Sequence, residues 1–458
     1  MKASSVPAKS RLKPVLRHRR ARGAVLVIVM WIALGLVSVA LLFGGSMMLE
    51  YRAADNAVAA RQAETAAAGA ARYVRFLLSD LTTPGEPLDA ADYSAEAVPV
   101  GEARFWLVGR DPNEDPDEHP RFGLVDEAGK LNLNTATREM LELLPRMTAE
   151  LAAAIVDWRD EDDDLSPDGA ESETYLKLDP PYNCKNAPFE SVDELRLVYG
   201  ADLEILYGED TNRNGVLDPN EDDGDASPPS DNADGRLDAG ICEYLTVYSR
   251  QSNTQADGTP RVNINGGRRQ IEEVLVEALG ETRTAEIMPL LGPGGQFRSL
   301  LEFYYRGQIT LDEAALLEDV LTVSDGDEIR GLVNIITAPE PVLLCLPGIG
   351  EEGAPAVIAY RQNKTADELA TVAWLLAALA PERALEAGPY ITVKSYQWTA
   401  DVAATGRNGR GLARIQWVFD LAGGQPTTLY RRDLSHLGWP LGVDLRATLT
   451  AEAREEQR

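Results

Sequence analysis

Residues 210–221 read DTNRNGVLDPNE, the spacing of oxygen donors that a twelve-position calcium loop requires. Asp210, Asn212 and Asn214 take positions one, three and five, Gly215 the sharp turn, Val216 the carbonyl at seven, Asp218 position nine and Glu221 position twelve. In such a loop alternate oxygens converge on one hard cation, and the last carboxylate can bind through both of its oxygens. The stretch DDGDASPPSDNADGRLD after Glu221 cannot be an exiting helix. The pattern therefore predicts a structural calcium ion in preference to a sensor that opens a groove, against the plainer reading of an Asp/Asn-rich solvated linker. A second cation is expected among Asp222, Asp223, Asp225, Asp231, Asn232, Asp234 and Asp238, because so many like charges repel one another unless neutralised. Cys184 and Cys242 bracket the loop, and a disulfide between them is expected if this region lies outside the cytoplasm.

Little else in the chain points to chemistry. There is no glycine-rich phosphate loop and no nucleophile elbow, and the imidazoles are His18, His119 and His436, so a catalytic function is not expected. Three Cys and three His are too few for a zinc scaffold, and Cys345 reads as core. With 44 Lys+Arg against 73 Asp+Glu and a net charge of -29 over 458 residues, general nucleic-acid binding is excluded on charge.

The elements that must carry the loop begin at a membrane. Lys2, Lys9, Arg11, Lys13, Arg17, Arg19, Arg20 and Arg22 precede an uncharged stretch from Gly23 to Leu49, in which Ala24 to Phe43 is a run of twenty almost wholly apolar residues. At about 1.5 Å per residue this run is roughly 30 Å of helix, enough to span a bilayer core. The basic flank places the N-terminus in the cytoplasm and the bulk of the chain outside. Ala-rich sequence without proline continues the helix to about residue 80, with Gly35 and Gly44-Gly45 as its flexible points.

This arrangement resembles the type IV prepilins and type II secretion pseudopilins. The resemblance implies cleavage by a prepilin peptidase between Gly23 and Ala24. Most members carry a Glu five residues into the mature chain, and this chain has Ile28 there. That departure is similar to the K-type minor pseudopilins, which are thought to sit at the tip of a pseudopilus. The segment WRDEDDDLSPDGAESETYLKLDPPYNCKNAPFESVDELRLVYG (158–200) resembles the same family along its whole length. The resemblance also implies calcium in the acidic region and a large helical domain inserted into a pilin fold.

An internal repeat supports that insertion. At an offset of 202, residues 131–159 align with 333–361 without a gap, sharing Asn132/Asn334, Thr135/Thr337, Leu144/Leu346, Pro145/Pro347 and Arg159/Arg361 among others. Each copy predicts an N-capping Asn or Thr, a short helix, a tight turn and a second helix. A fainter third start, VNIN, stands at 262–265, and Phe297-x-Ser299-x-x-Glu302 parallels Phe189-x-Ser191-x-x-Glu194. The turn Leu346-Pro347-Gly348-Ile349-Gly350 is similar to a DNA-binding helix-hairpin-helix. The first copy has Arg146 and Thr148 in place of its glycines, and acids surround the second, which favours a structural repeat.

Alternating sequence returns in ITVKSYQWTADVAA, LARIQWVFDLAG and TTLYRRDL after Tyr390, and in EARFWLV (102–108), FGLV (122–125) and YLTVYS (244–249), all read as strands. The fold class expected is α+β: a long N-terminal helix on an antiparallel sheet, with a mainly helical insertion. The boundaries are a leader at 1–23, a helix at 24–80, the first part of the sheet at 81–128, the insertion at 129–380 and closing strands at 381–458, with 244–249 assigned to the sheet. The function expected is a non-enzymatic, single-pass inner-membrane subunit with its bulk in the periplasm. It would cap a pseudopilus in type II secretion, with other minor pseudopilins as partners through its helix and sheet domain. The alternative is a minor type IV pilin or DNA-uptake component.

Overall fold

A computed structural model describes residues 22–81, 85, 86, 88, 93, 95–110, 121–292, 296–442, 445, 447–449 and 451. They fall into two units, residues 1–58 and 59–458. The basic leader, up to residue 21, lies outside the described residues. In the first unit the described chain is helical and belongs to α1 (Arg22–Ser79), which passes Gly35 and Gly44-Gly45 without a break. Its side chains from Val25 to Leu49 are exposed, and the helix is long and apolar enough to cross a membrane.

In the second unit the last turns of α1 bury a stripe of small residues, Ala59, Ala63, Ala66, Ala67 and Ala70, extended by Val74 and Leu78. Spacings of three and four keep them on one face. That face packs on an antiparallel sheet made of β1 (Val98–Val100), β2 (Ala103–Gly109), β3 (Arg121–Phe122), β4 (Val125–Asp126), β5 (Gln397–Thr405), β6 (Ala413–Asp420) and β7 (Thr427–Asp433). The strand order is β1-β2-β5-β6-β7, with β3 paired to β2 and β4 to β5. Alternation sorts the faces: Phe105, Leu107, Trp398, Ala400 and Val402 meet α1, whereas Trp106, Val108 and Ala403 face Leu441 and Leu449. Small residues let backbone approach backbone at one end, where Gly411 (φ +67°) lies so close to α1 that a Cβ there would be 2.5 Å from the carbonyl carbon of Ala59.

Between β4 and β5 the chain builds a separate apolar core running from Leu131 to Val393. Three two-residue parallel strand pairs frame it: Leu131–Asn132 with Leu245–Thr246, Val262–Asn263 with Leu321–Thr322, and Val333–Asn334 with Ile391–Thr392. Each pair repeats the same side-chain geometry. Asn132, Asn263 and Asn334 each accept from the backbone N–H two residues on, and Thr246, Thr322 and Thr392 do the same. Each Asn also donates from Nδ2 to the residue three beyond its Thr: Ser249 at 2.9 Å, Asp325 at 2.6 Å and Ser395 at 2.7 Å. The three starts noticed in the sequence are thus three repeats, each closed by a matching LTV or ITV strand that the sequence reading did not pair with them.

Two expectations change. The 244–249 segment does not join the main sheet; Leu245–Thr246 closes the first repeat, because Asn132 and Leu133 hold it there through Ser249 and the Thr246 carbonyl. The Asn residues order the strand ends and do not cap helices: Thr137 caps the helix Arg138–Glu142 and Thr148 caps Ala149–Arg159. In the 346–350 turn Gly348 packs against the Arg383 carbonyl and Arg383 donates to the carbonyls of Gly348 and Ile349, whereas a Cβ at Gly350 would meet open space.

The repeats meet the sheet through two buried acids at the end of β4. Asp126 accepts from Ala128 N–H, Asn334, Thr337 and Ser395, and Glu127 accepts from Thr246, Thr399 and Lys130. Burial pushes the Asp126 carboxyl up to about 6, against the pull of its hydrogen bonds.

Candidate metal centre

The 210–221 loop follows the short helix Leu203–Tyr207, capped by Asp202 and ended by Gly208 at φ +56°. Its own amides shape it. Asp210 accepts from the N–H groups of Asn214 and Gly215, both at 2.9 Å, and Asn214 Oδ1 accepts from Val216 at 2.7 Å. Glu221 closes the ring, one oxygen accepting from Thr211 N–H at 3.2 Å and the other from Asp218 N–H at 3.1 Å. Gly215 adopts φ +69° with the Arg110 side chain where a Cβ would stand, so its place at the turn is required twice over.

Asp210, Asn214, Val216 and Glu221 are buried, an unusual state for a solvated linker. Burial raises the Asp210 carboxyl to about 6 and, with the charge of Asp210 adding to it, raises Glu221 to about 8. Asn212 and Asn214 both donate Nδ2 to the same Asp218 oxygen, at 2.6 and 3.0 Å. Asn212 Oδ1 is buried without a hydrogen-bond partner. An orphaned amide oxygen at position three, beside buried carboxylates at one and twelve, fits a hard cation with oxygen ligands.

The loop is bolted to the sheet from outside its own sequence. Arg414 on β6, fully buried, forks onto Asp401 of β5 and donates to the carbonyls of Asn212 and Arg213. Arg110, just after β2, donates to Arg213 carbonyl at 3.2 Å and to Glu243 at 2.7 Å, and Asn214 reaches the Pro440 carbonyl at 2.9 Å. Sequence reasoning missed these residues; an Arg and an Asp on neighbouring apolar strands was the available signal, and the register sets them diagonally, Arg414 opposite Ala403 and Asp401 opposite Gln416.

The second acidic group is arranged differently. Asp231 accepts from Asp223, Gly224 and Ala233 N–H groups, Asp222 from Gly235, and Asp223 from Ser227. Asn232 and Asp234 each accept from the amide two residues on. Asp238 is drawn to Arg146 and to Gly240 N–H, and Asp225 stands in the same loop with an exposed side chain. These acids turn the backbone; they do not gather round a common point. Cys184 and Cys242 are free in the structure, so the expected disulfide is not formed. The Cys184 thiol faces the Asp157 carbonyl at 3.7 Å, whereas Cys242 lines a cavity with Tyr207, Arg213 and Arg432. Of the processing pair, Gly23 and Ala24 both lie in the first turn of α1.

Residues 125–207 match the family described as type II secretion system (T2SS), protein K. The matched part is less than a fifth of the chain. It takes in β4, the buried acid pair, the first helical hairpin and the acidic segment after it, and it ends at Tyr207, just before the metal loop. Two type II secretion system K proteins are similar: one from Klebsiella pneumoniae is 40% identical over 71 residues, and one from Pectobacterium carotovorum subsp. carotovorum is 39% identical over 56. The aligned stretches are 16% and 12% of this chain and span only 22% and 17% of those relatives. A solved chain from the GspK-GspI-GspJ complex of the enterotoxigenic Escherichia coli type 2 secretion system superposes with a TM-score of 0.39 and 13% identity, covering 86% of this chain and 99% of that one.

Proposed function

We propose that the chain is a non-enzymatic minor pseudopilin of type II protein secretion, anchored by α1 in the inner membrane with the sheet and the repeats in the periplasm. The observation that carries this reading is the protein K segment at 125–207 in a chain whose first helix is apolar from Val25 to Phe43. Prepilin peptidase would cut between Gly23 and Ala24, and other minor pseudopilins would pair with the helix and sheet domain. Ile28, where a Glu would seek a counter-charge ahead of it, suits a subunit at the tip, since an unpaired carboxylate in lipid costs a few kcal/mol. The DNA-uptake alternative is disfavoured by the net charge of -29 and by Gly348, which packs against the Arg383 carbonyl.

The 210–221 loop would hold one calcium ion through Asp210, Asn212, Asn214, the Val216 carbonyl, Asp218 and Glu221. The ion would supply the positive charge that these buried oxygens lack.

The test is to delete the gene and restore it in a strain that secretes by this route. Secretion should fail and return, the mature N-terminus should be Ala24, and two smaller pseudopilins should co-purify. Intact secretion in the deletion strain, or tight and salt-sensitive binding of duplex DNA by the purified chain, would overturn the proposal.

A further inference from the structure

A groove of about 670 Å³ lies between α1 and the outer strands of the sheet, within the second unit. Its floor is apolar: Ile415, Trp417 and Phe419, alternate residues of β6, turn one face toward Ala68 and Ala71 of α1. Its rim is charged. Arg72 and Arg75 stand on α1 and Arg431 on β7, and the acids that line it are Glu64 and Asp433. The Asp433 carboxyl is already engaged, since hydrogen bonds from Ser435 hold it below its usual range, with Arg431 and His436 adding to that. Arg72 and Arg75 are exposed and make no ion pair or hydrogen bond among the described residues. In a chain of 73 acids against 44 bases, two neighbouring arginines without an acid of their own point to one supplied from outside.

The same groove borders an open strand. β7 ends the strand order, and no strand among the described residues pairs with its outer edge. Leu434 N–H donates to the Arg414 carbonyl, and Trp417 lies opposite Arg431 and Ile415 opposite Asp433. Bonded and non-bonded pairs alternate along an antiparallel ladder, so Tyr430 and Arg432 bond inward while Arg431 and Asp433 turn their N–H and C=O groups outward. Charged side chains usually guard such an edge. Here Arg432 is tied to Asp193, and the Arg431 guanidinium lies 5.8 Å from the centre of the Trp417 ring, so neither stands in the path of an added strand. We propose that β7 and the groove beside it receive an extended acidic segment of a partner polypeptide. Its backbone would pair with Arg431 and Asp433, an aliphatic side chain would cover Trp417, and carboxylates would meet Arg72 and Arg75. Arginines three apart on a helix have Cβ atoms about 5–6 Å from each other, and alternate residues of a strand are about 6.6–6.8 Å apart, so an acid-x-acid pattern fits the pair. The inference rests on the second unit alone and does not depend on the role proposed above.

Fluorescence polarisation of the full chain in detergent with a labelled peptide, Thr-Val-Thr-Glu-Thr-Glu-Thr blocked at both ends, tests this. Binding should saturate and should weaken as salt rises. Replacing both peptide Glu residues by Gln, or methylating the peptide nitrogens that would bond to β7, should each weaken it about tenfold or more. Arg72→Gln/Arg75→Gln should weaken the Glu peptide to the same extent at an unchanged melting temperature, and should cost the Gln peptide nothing further. Arg431→Gln, on the other wall, should weaken the Glu peptide independently. Absence of saturable binding, or equal binding by the double variant, would overturn the proposal. So would equal binding of the methylated peptide, which would reduce the contact to attraction between charges, or sedimentation showing that two copies of the chain pair through this edge and exclude the peptide.

Discussion

Arg414→Met isolates what the sheet does for the metal loop. The guanidinium is fully buried and holds Asp401, itself 5% exposed, through contacts of 3.1, 3.2 and 2.6 Å, while two further N–H groups take the carbonyls of Asn212 and Arg213. Methionine fills much of the volume but leaves a buried carboxylate and the Asn212 carbonyl without the guanidinium, while the Arg213 carbonyl keeps its bond from Arg110. Breaking a buried ion pair from one side costs about 3–5 kcal/mol, so the single variant should lose that much in guanidinium unfolding followed by tryptophan fluorescence. Adding Asp401→Val removes the orphaned charge and should restore about 2 kcal/mol or more, a coupling that only a direct pair gives. The Asn212 carbonyl would no longer be fixed, and loss of about 1.4 kcal/mol of preorganisation is a tenfold weaker calcium affinity. A single-variant loss below about 1 kcal/mol, or a double variant no more stable than the single, refutes the reasoning.

Calcium at 100 times its dissociation constant should stabilise the chain by about 2.7 kcal/mol per site; Asp210→Asn/Glu221→Gln should reduce the calcium-dependent rise in melting temperature, and a full response would remove the loop from consideration. Gly411→Ala forces a Cβ onto the Ala59 backbone at φ +67° and should cost at least about 1–2 kcal/mol, read by denaturant midpoint; a neutral outcome would mean that α1 does not sit this close to the sheet. Asp126 has its carboxyl raised to about 6 from 3.8, so the folded state holds that proton more tightly than the unfolded chain. Stability from this group is therefore full below about pH 4 and lost as pH rises through 6, by at most about 3 kcal/mol. The melting temperature of Asp126→Asn relative to wild type should climb between pH 4 and 7, and a flat difference would place the titration elsewhere. Asn334→Ala, fully buried in its repeat, should cost about 1–3 kcal/mol, more than Asn263→Ala, whose partner Asp325 is exposed; the reverse order would contradict the repeat.

Much of this fold is legible in the sequence where a pattern is periodic. The apolar run from Ala24, the alanine stripe of α1 and the alternating strands near Trp398 and Trp417 all specify their element because burial follows the same period as the backbone. The turn at 210–221 is legible for a different reason: the spacing of its oxygen-bearing residues about Gly215 is local. What stayed hidden depends on partners far along the chain. Arg414 reads as one polar residue in a strand until Asn212, 202 residues away, is known to lie beneath it. The LTVYS, LTVSD and ITVKS segments are similar enough to be aligned by eye, yet a two-residue strand carries no periodicity, and the first and last were read as ordinary sheet strands.

The repeat also explains why the 210–221 loop sits where it does. From the Asn to the closing Thr the second and third repeats span 322 - 263 = 59 and 392 - 334 = 58 positions, and the first spans 246 - 132 = 114. Doubling a connection adds only about 0.6 kcal/mol of closure entropy, so the strand pair Leu131–Asn132 with Leu245–Thr246 does not need an ion to form. The excess length needs a surface on which to settle, and its acids repel one another until that surface neutralises them. Arg110, Arg146 and Arg414 supply fixed positive charge around the loop. Arg110 partly offsets the charge of Asp210, and the proposed cation would complete that neutralisation among Asp210, Asn212 and Glu221 and convert a tolerated insertion into a rigid face of the molecule.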